Sequence, residues 1–169
     1  MKRLIIMLCI FTGVLAAGCA EPQAQLTNET QTQTYSNQTY GYSLEHDPAV
    51  MDITDDTIEG GTAGSPGYFF HNDGHAAVGV WENPNNLTAR EWLDDQYAEY
   101  SGGWNWDFAE TVVNGMQAYS ATRSDGCYIN WVIVPHQSDF VTIRAEYCGD
   151  DQQEFQQQFN ALVQTLSFN

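Results

Sequence analysis

GCYINWVIVPHQSDFVTIRAEYC, residues 126–148, is the stretch that decides the fold. Two runs within it, 127–135 and 140–148, are rich in aromatic and β-branched residues, and the polar segment 136–139 separates them. Runs of this composition around a loop of about four residues predict two antiparallel strands joined by a turn. We therefore expect a β-hairpin at the centre of the domain.

The lengths of the two runs set the register of this hairpin. When Pro135 lies opposite Phe140, Cys127 falls directly opposite Cys148. Opposed residues in an antiparallel pair have Cβ atoms roughly 4.5–5.5 Å apart, which is close to the separation that a disulfide needs. We predict a disulfide bond between these two cysteines.

The same register sorts the hairpin into two faces. One face is apolar and should join the core; its residues are Tyr128, Val132, Val134, Val141, Ile143, Ala145 and Tyr147. The other face is mixed and places Trp131 opposite Arg144. This pair is either a structural cation–π contact or the floor of a ligand-binding site.

Residues 1–18 predict a secretory signal peptide, because Lys2 and Arg3 precede an apolar run that is too short to span a membrane permanently. The small residues before Cys19 resemble the lipobox of prokaryotic lipoproteins, here residues 15–19. This resemblance implies that Cys19 becomes the lipidated first residue of the mature chain and anchors it to a membrane. The alternative is an ordinary cleaved signal and a soluble secreted product.

The remaining chain divides into a tether and one domain. Residues 19–36 are rich in Gln and Thr and contain scarcely an apolar residue, so we expect a flexible tether. Residues 37–169 suffice for one domain and are too few for two. With the signal removed and Cys19 lipidated, Cys127 and Cys148 remain as an even pair in an oxidising compartment.

The chain is strongly acidic, with a net charge of −17. Beyond the signal its basic residues are Arg90, Arg123 and Arg144, without a single lysine. Nucleic acid and anionic lipid headgroups would be repelled, so we expect neither as a partner. The acidity indicates adaptation to high salt or, alternatively, a surface that collects cations.

Two segments have the apolar spacing of helices, 87–100 and 151–166. The first opens with a capping box at Thr88 and the second with a similar pattern at Asp151. Strand-like patterns occupy 37–46, 50–53, 67–71, 75–81 and the two arms of 104–122 around an Asn-Gly turn.

His71 and His75 flank a predicted turn that contains Asp73. Two imidazoles and a carboxylate can ligate a transition metal. Their spacing matches no established metal motif, and polar residues are expected beside a turn. We therefore predict neither a metal site nor a cofactor; if a metal did bind, these three residues would be the candidates.

Trp104, Trp106 and Phe108 alternate along one predicted strand, so their side chains point to the same face. Such a row on an exported protein either belongs to the core or stacks against sugar rings. Together with Trp131 it supports an alternative function, a carbohydrate- or cell-envelope-binding module.

Four further stretches carry a resemblance to a known family: YSNQTYGYSLEHDP at 35–48, LTAREWLDDQY at 87–97, the turn at 113–115 followed by Ala118, and EFQQQFNALVQTLSF at 154–168. Over residues 35–168 the chain is similar to the PsbP/Mog1-like domains of many small prokaryotic lipoproteins. The Phe/Tyr-Pro-Trp usual in that family after the first strand is replaced here by His46-Asp47-Pro48.

The resemblance implies an α+β fold, a twisted antiparallel sheet flanked by helices in an α/β/α sandwich. It implies no catalytic residues, since family members include photosystem II extrinsic subunits and binders of small partner proteins. We expect a lipid-anchored, extracytoplasmic, non-enzymatic domain, at the cell surface or in the periplasm, with an envelope or membrane protein as its partner. Sequons at Asn28, Asn37 and Asn86 would be modified only in a host that glycosylates exported proteins.

Overall fold

The computed structural model describes residues 31–54, 66–71, 74–97, 106–124 and 126–169. Within these residues the chain forms ten strands and two helices. The strands are β1 Gln33–Asn37, β2 Tyr42–His46, β3 Met51–Thr54, β4 Gly67–Phe70, β5 His75–Glu82, β6 Asp107–Val113, β7 Met116–Ser124, β8 Tyr128–His136, β9 Asp139–Tyr147 and β10 Ser167–Phe168. The helices are α1 Ala89–Tyr97 and α2 Gln152–Gln164.

A seven-stranded antiparallel sheet, in the order β3-β4-β5-β9-β8-β7-β6, forms the frame of the domain. The predicted hairpin supplies β8 and β9, and its register is confirmed, since Pro135 pairs with Phe140. The disulfide between Cys127 and Cys148 closes the open end of this hairpin, with the two Cα atoms 4.2 Å apart. A smaller antiparallel sheet, in the order β1-β2-β10, lies beside the frame.

One face of the large sheet packs against α2 and the small sheet. The predicted apolar face of the hairpin belongs to this core. So do Phe155, Phe159, Leu162 and Val163 from the last helix, and Leu166, two residues beyond its end. The helical spacing of these residues directs one stripe of α2 toward the sheet. Burial of this stripe is what holds the C-terminal segment on the domain.

The other face of the large sheet packs against α1. The capping box that begins this helix is formed, because the Thr88 amide donates to Glu91 Oε2 at 2.9 Å and the Glu91 amide donates to Thr88 Oγ1 at 3.3 Å. Trp92 and Leu93 are buried against Ile129, Trp131 and other sheet residues. With helices on both faces, the fold is α+β and has the layered α/β/α arrangement that the sequence predicted.

Two predicted boundaries and one predicted cap need correction. Residues 33–36, assigned to the flexible tether, belong to β1, because backbone pairing with β2 orders a segment that has almost no apolar residues. The first helix begins at Ala89 and not at Leu87, and it is described as far as Tyr97; residues 98–100 of the predicted helix lie outside the described residues. Asp151 is the N-cap residue of α2, but its side chain makes no capping hydrogen bond. The signal peptide, Cys19 and most of the tether lie outside the described residues.

Candidate functional site

The α1 face of the large sheet carries a small set of polar side chains beside the helix. Arg144 and Glu146 on β9 point to this face, and His75 on β5 pairs directly with Glu146. Trp131 on β8 pairs directly with Arg144. We refer to His75, Trp131, Arg144 and Glu146 as the Arg144 array. Because opposed residues of an antiparallel sheet share a face, the sheet register alone brings these four together.

Two contacts fix the position of Arg144. Its Nη2 donates to Glu146 Oε2 at 2.8 Å, and its guanidinium carbon lies 5.6 Å from the centroid of a Trp131 ring. The side chains of Arg144 and Glu146 remain 33% and 30% exposed. A half-buried ion pair that rests on an indole ring presents its charge in one defined orientation. This geometry suits recognition of a partner group.

His75 is half-buried beside this ion pair. Burial is the main influence on its titration and lowers the pKa of its imidazole, Glu146 opposes that effect by raising the pKa, and Arg144 lowers it further. The net result is a pKa below the ordinary value of 6.5. His75 is therefore uncharged at neutral pH, and the array carries one positive and one negative charge.

The two candidate metal ligands that the structure describes, His71 and His75, lie in different surroundings. His71 is exposed after β4, His75 faces Glu146, and Asp73 lies outside the described residues. Among the residues that the structure describes, the one group of three potential ligands is Cys127, Glu146 and Cys148. Both sulfur atoms of that group form the disulfide bond, so neither is available as a thiolate ligand.

Two of the aromatic candidates, Trp106 and Trp131, belong to the core under α1. Trp131 is only 8% exposed, and its ring lies 6.4 Å from that of Trp81 and 6.3 Å from that of Trp92. Trp106 is half-buried and packs against the same cluster, while Trp104 lies outside the described residues. A ring enclosed in this way offers little surface for stacking on a sugar. Trp131 acts instead as the support beneath Arg144.

Sequence reasoning missed His75 and Glu146 as partners of Arg144. The alternation along β9 already placed Arg144 and Glu146 on one face, so the sequence alone could have predicted that Glu146 is a neighbour of Arg144. His75 was not, because its place depends on the pairing of β5 with β9, two strands that are distant in the chain.

Two clefts open elsewhere on the described surface. One, of about 310 Å³, lies between the start of α1 and the turn of the β8–β9 hairpin, and polar side chains such as Asn86, Thr88 and Gln137 line it. The other, of about 290 Å³, lies between β2, the start of β3 and α2. Neither lining includes a residue of the Arg144 array.

Two sequons fall in the described part of the chain. Asn86 is exposed at the rim of the first cleft, and Asn37 caps a turn by accepting hydrogen bonds from the amides of Thr39 and Tyr40. Asn28 lies outside the described residues. The helices that the structure describes are too short or too polar to cross a membrane.

No protein-family model matches this chain, and no curated protein sequence matches it. It is similar in structure to cyanobacterial PsbP (CyanoP) from Synechocystis sp. PCC 6803, with 13% sequence identity and a TM-score of 0.59 over 85% of this chain and 95% of that chain. It is also similar to the Ran-binding protein Mog1p of Saccharomyces cerevisiae, with 11% identity and a TM-score of 0.52 over 82% of this chain and 96% of that chain. The chain therefore has a PsbP/Mog1-like fold.

Proposed function

We propose that this chain is a lipid-anchored, extracytoplasmic domain that binds an envelope or membrane protein and has no catalytic activity. The anchor is the lipid expected on Cys19, and the contact surface is the Arg144 array with the sheet around it. The observation that carries the proposal is the geometry of Arg144, a partly exposed cation held by Glu146 and Trp131 in a strongly acidic chain.

The partial exposure of the array favours binding over catalysis. Enzyme sites and small-ligand sites are usually concave and enclose most of the ligand, whereas protein partners bind to exposed, rigid surfaces. Arg144 and Glu146 bond to each other, and their side chains remain 33% and 30% exposed. A partner acceptor can reach the Nη donors of the guanidinium that Glu146 does not use, whereas Nε is buried.

The fold neighbours support the same reading. Mog1p is a Ran-binding protein by its own description, so at least one chain with this fold binds another protein. The acidity of this chain predicts that the partner has a basic surface around an acidic or carbonyl group that meets Arg144. The carbohydrate alternative has less support, because the buried ring of Trp131 is not available for stacking.

Site-specific photocrosslinking of the full chain in its native membrane tests this proposal. Asp52 is exposed and lies in the same cross-strand row as His75 and Glu146, so a photoreactive phenylalanine analogue there reports on the array. The matched control position is Asn160, exposed on α2 at the opposite face. We expect one dominant protein to crosslink from position 52 and not from position 160.

Arginine variants then locate the contact. Arg144→Ala should reduce the crosslinked yield from position 52 at least fivefold, and Arg90→Ala, which removes an exposed arginine on α1, should leave it unchanged. Equal yields from positions 52 and 160, or an Arg144→Ala yield equal to that of the unaltered chain, would contradict the proposal.

A further inference from the structure

The 290 Å³ cleft on the α2 side combines an apolar wall with an acidic rim. Val50, Met51 and Leu162 supply the wall, and Glu45 and Asp47 lie at the rim. The lining contains no lysine or arginine. Its size is at the lower end of the range for small-molecule sites, so it suits a ligand smaller than a typical cofactor.

His46 gives this cleft a specific polar group. It is the last residue of β2 and only 5% exposed, and it lines the cleft where the core face of that strand ends. Its ring packs edge-on against Tyr68, with the ring centroids 5.8 Å apart. Among the described residues, His46 Nδ1 has no hydrogen-bond partner although it is buried. Buried polar atoms are nearly always hydrogen-bonded, so the unpaired Nδ1 of a ring that lines the cleft indicates that a ligand donor completes the site when the ring turns toward it.

The charge around the cleft restricts the ligand. With Glu45 and Asp47 at the rim and no basic residue in the lining, an anionic ligand would be repelled and a cation attracted. In the tautomer protonated at Nε2, His46 Nδ1 accepts a hydrogen bond and so requires a donor. We propose that this cleft binds a small amphiphilic amine, whose ammonium group donates to His46 Nδ1 and whose hydrocarbon part packs against Val50, Met51 and Leu162.

Calorimetric titration of the full chain in lipid nanodiscs tests this site, with empty nanodiscs as the blank. The probes are hexylamine, hexan-1-ol and hexanoate, which share one chain length and differ in charge. We expect hexylamine to bind at least tenfold more tightly than hexan-1-ol and hexanoate to show no binding. Equal affinity for the three probes, or no binding of hexylamine, would overturn the proposal.

Two variants tie the binding to this cleft. His46→Phe keeps the ring that packs on Tyr68 but removes the acceptor, and should weaken hexylamine binding at least tenfold; the exposed His71→Phe is its control. Ala161→Phe fills the cleft from an exposed position of α2 that the fold does not depend on, and Asn160→Phe is its neighbouring control. If His46→Phe and Ala161→Phe both bind hexylamine as the unaltered chain does, the site lies elsewhere and the inference is wrong.

Discussion

Cys127 and Cys148 are bonded to each other at the position directly beyond the last paired residues of β8 and β9, Tyr128 and Tyr147. The disulfide therefore links the two strands at the next cross-strand position after the last backbone-paired residues of the hairpin. Glu146 lies beside the two sulfur atoms, so the end of the hairpin that carries the Arg144 array is also the end that the disulfide closes. We therefore expect the side chains of the Arg144 array to be less ordered when the disulfide is broken.

Removal of the disulfide should lower the stability of the domain. The bond closes a loop with a sequence separation of 21 residues. A loop of this size corresponds to about 3 kcal/mol in the chain-entropy model of the unfolded state. We expect the double variant Cys127→Ser/Cys148→Ser to lose roughly that amount, measured by urea unfolding. Addition of reductant to the unaltered chain should reproduce the loss and should have no effect on the variant.

The hairpin was predictable because its information is local. Strand composition, turn length and alternation fixed the register of β8 and β9 without any knowledge of the rest of the chain. The capping box at Thr88 was local in the same way. By contrast, β1 was missed because QTYSN lacks apolar alternation and is held by pairing with β2, and β10 has only two residues.

The mixed face of the hairpin was harder to interpret from sequence. Trp131 was left as either a structural residue or the floor of a site, because the residues that enclose it, Trp81 and Trp92, come from β5 and α1. Their positions depend on tertiary packing that no local pattern records. The structure places Trp131 in the core, and Arg144 is the more exposed residue of the pair.

Arg144→Ala should destabilise the fold by about 1 kcal/mol, because it removes a partly screened ion pair with Glu146 and a contact with Trp131. Arg90→Ala is the matched control. Arg90 also lies over an aromatic ring, with its guanidinium carbon 5.0 Å from the centroid of Phe108. Its ion pair with Asp94 is more exposed, however, with side chains 57% and 63% accessible, so the loss of Arg90 should cost less than about 0.5 kcal/mol. Urea unfolding at low and high salt measures both, and high salt should reduce the loss in Arg90→Ala by a larger fraction than the loss in Arg144→Ala, because screening acts most strongly on exposed pairs. Equal losses for the two variants would argue against a special environment for Arg144.

The titration of His75 should report the charges of the array directly. Glu146 raises the pKa of His75 and Arg144 lowers it, both on top of the larger lowering by burial. We therefore expect Glu146→Gln to lower the pKa of His75 and Arg144→Ala to raise it, as measured by NMR titration of the imidazole signals. The signals of His71, which is exposed and outside the array, should not move. Shifts in the same direction for both variants would contradict the arrangement described here.

The same group should make stability depend on pH. Because the pKa of His75 is lower in the folded chain than in the unfolded chain, the unfolded state binds more protons between the two values. The contribution of His75 is therefore fully present above about pH 6.5 and is lost as the pH falls from there toward the folded pKa. His75→Gln should abolish the part of the loss of unfolding free energy at low pH that is due to His75. The test is the difference in unfolding free energy between variant and unaltered chain from pH 8 to pH 5, which should change only below about pH 6.5.

Gly74 should tolerate no side chain, because α2 lies directly against it. A Cβ atom at this position would overlap the ring of Phe155 and approach Tyr147 Cδ2 to 2.9 Å. Gly74→Ala should therefore cost about 1–3 kcal/mol through overpacking. In a double-mutant cycle, Phe155→Leu should relieve part of that cost, so the two losses should sum to at least 0.5 kcal/mol more than the double variant shows. Val163→Ala, further along the buried stripe of the same helix, is the control and should combine additively with Gly74→Ala. Additive behaviour in both cycles would mean that Phe155 does not pack over Gly74.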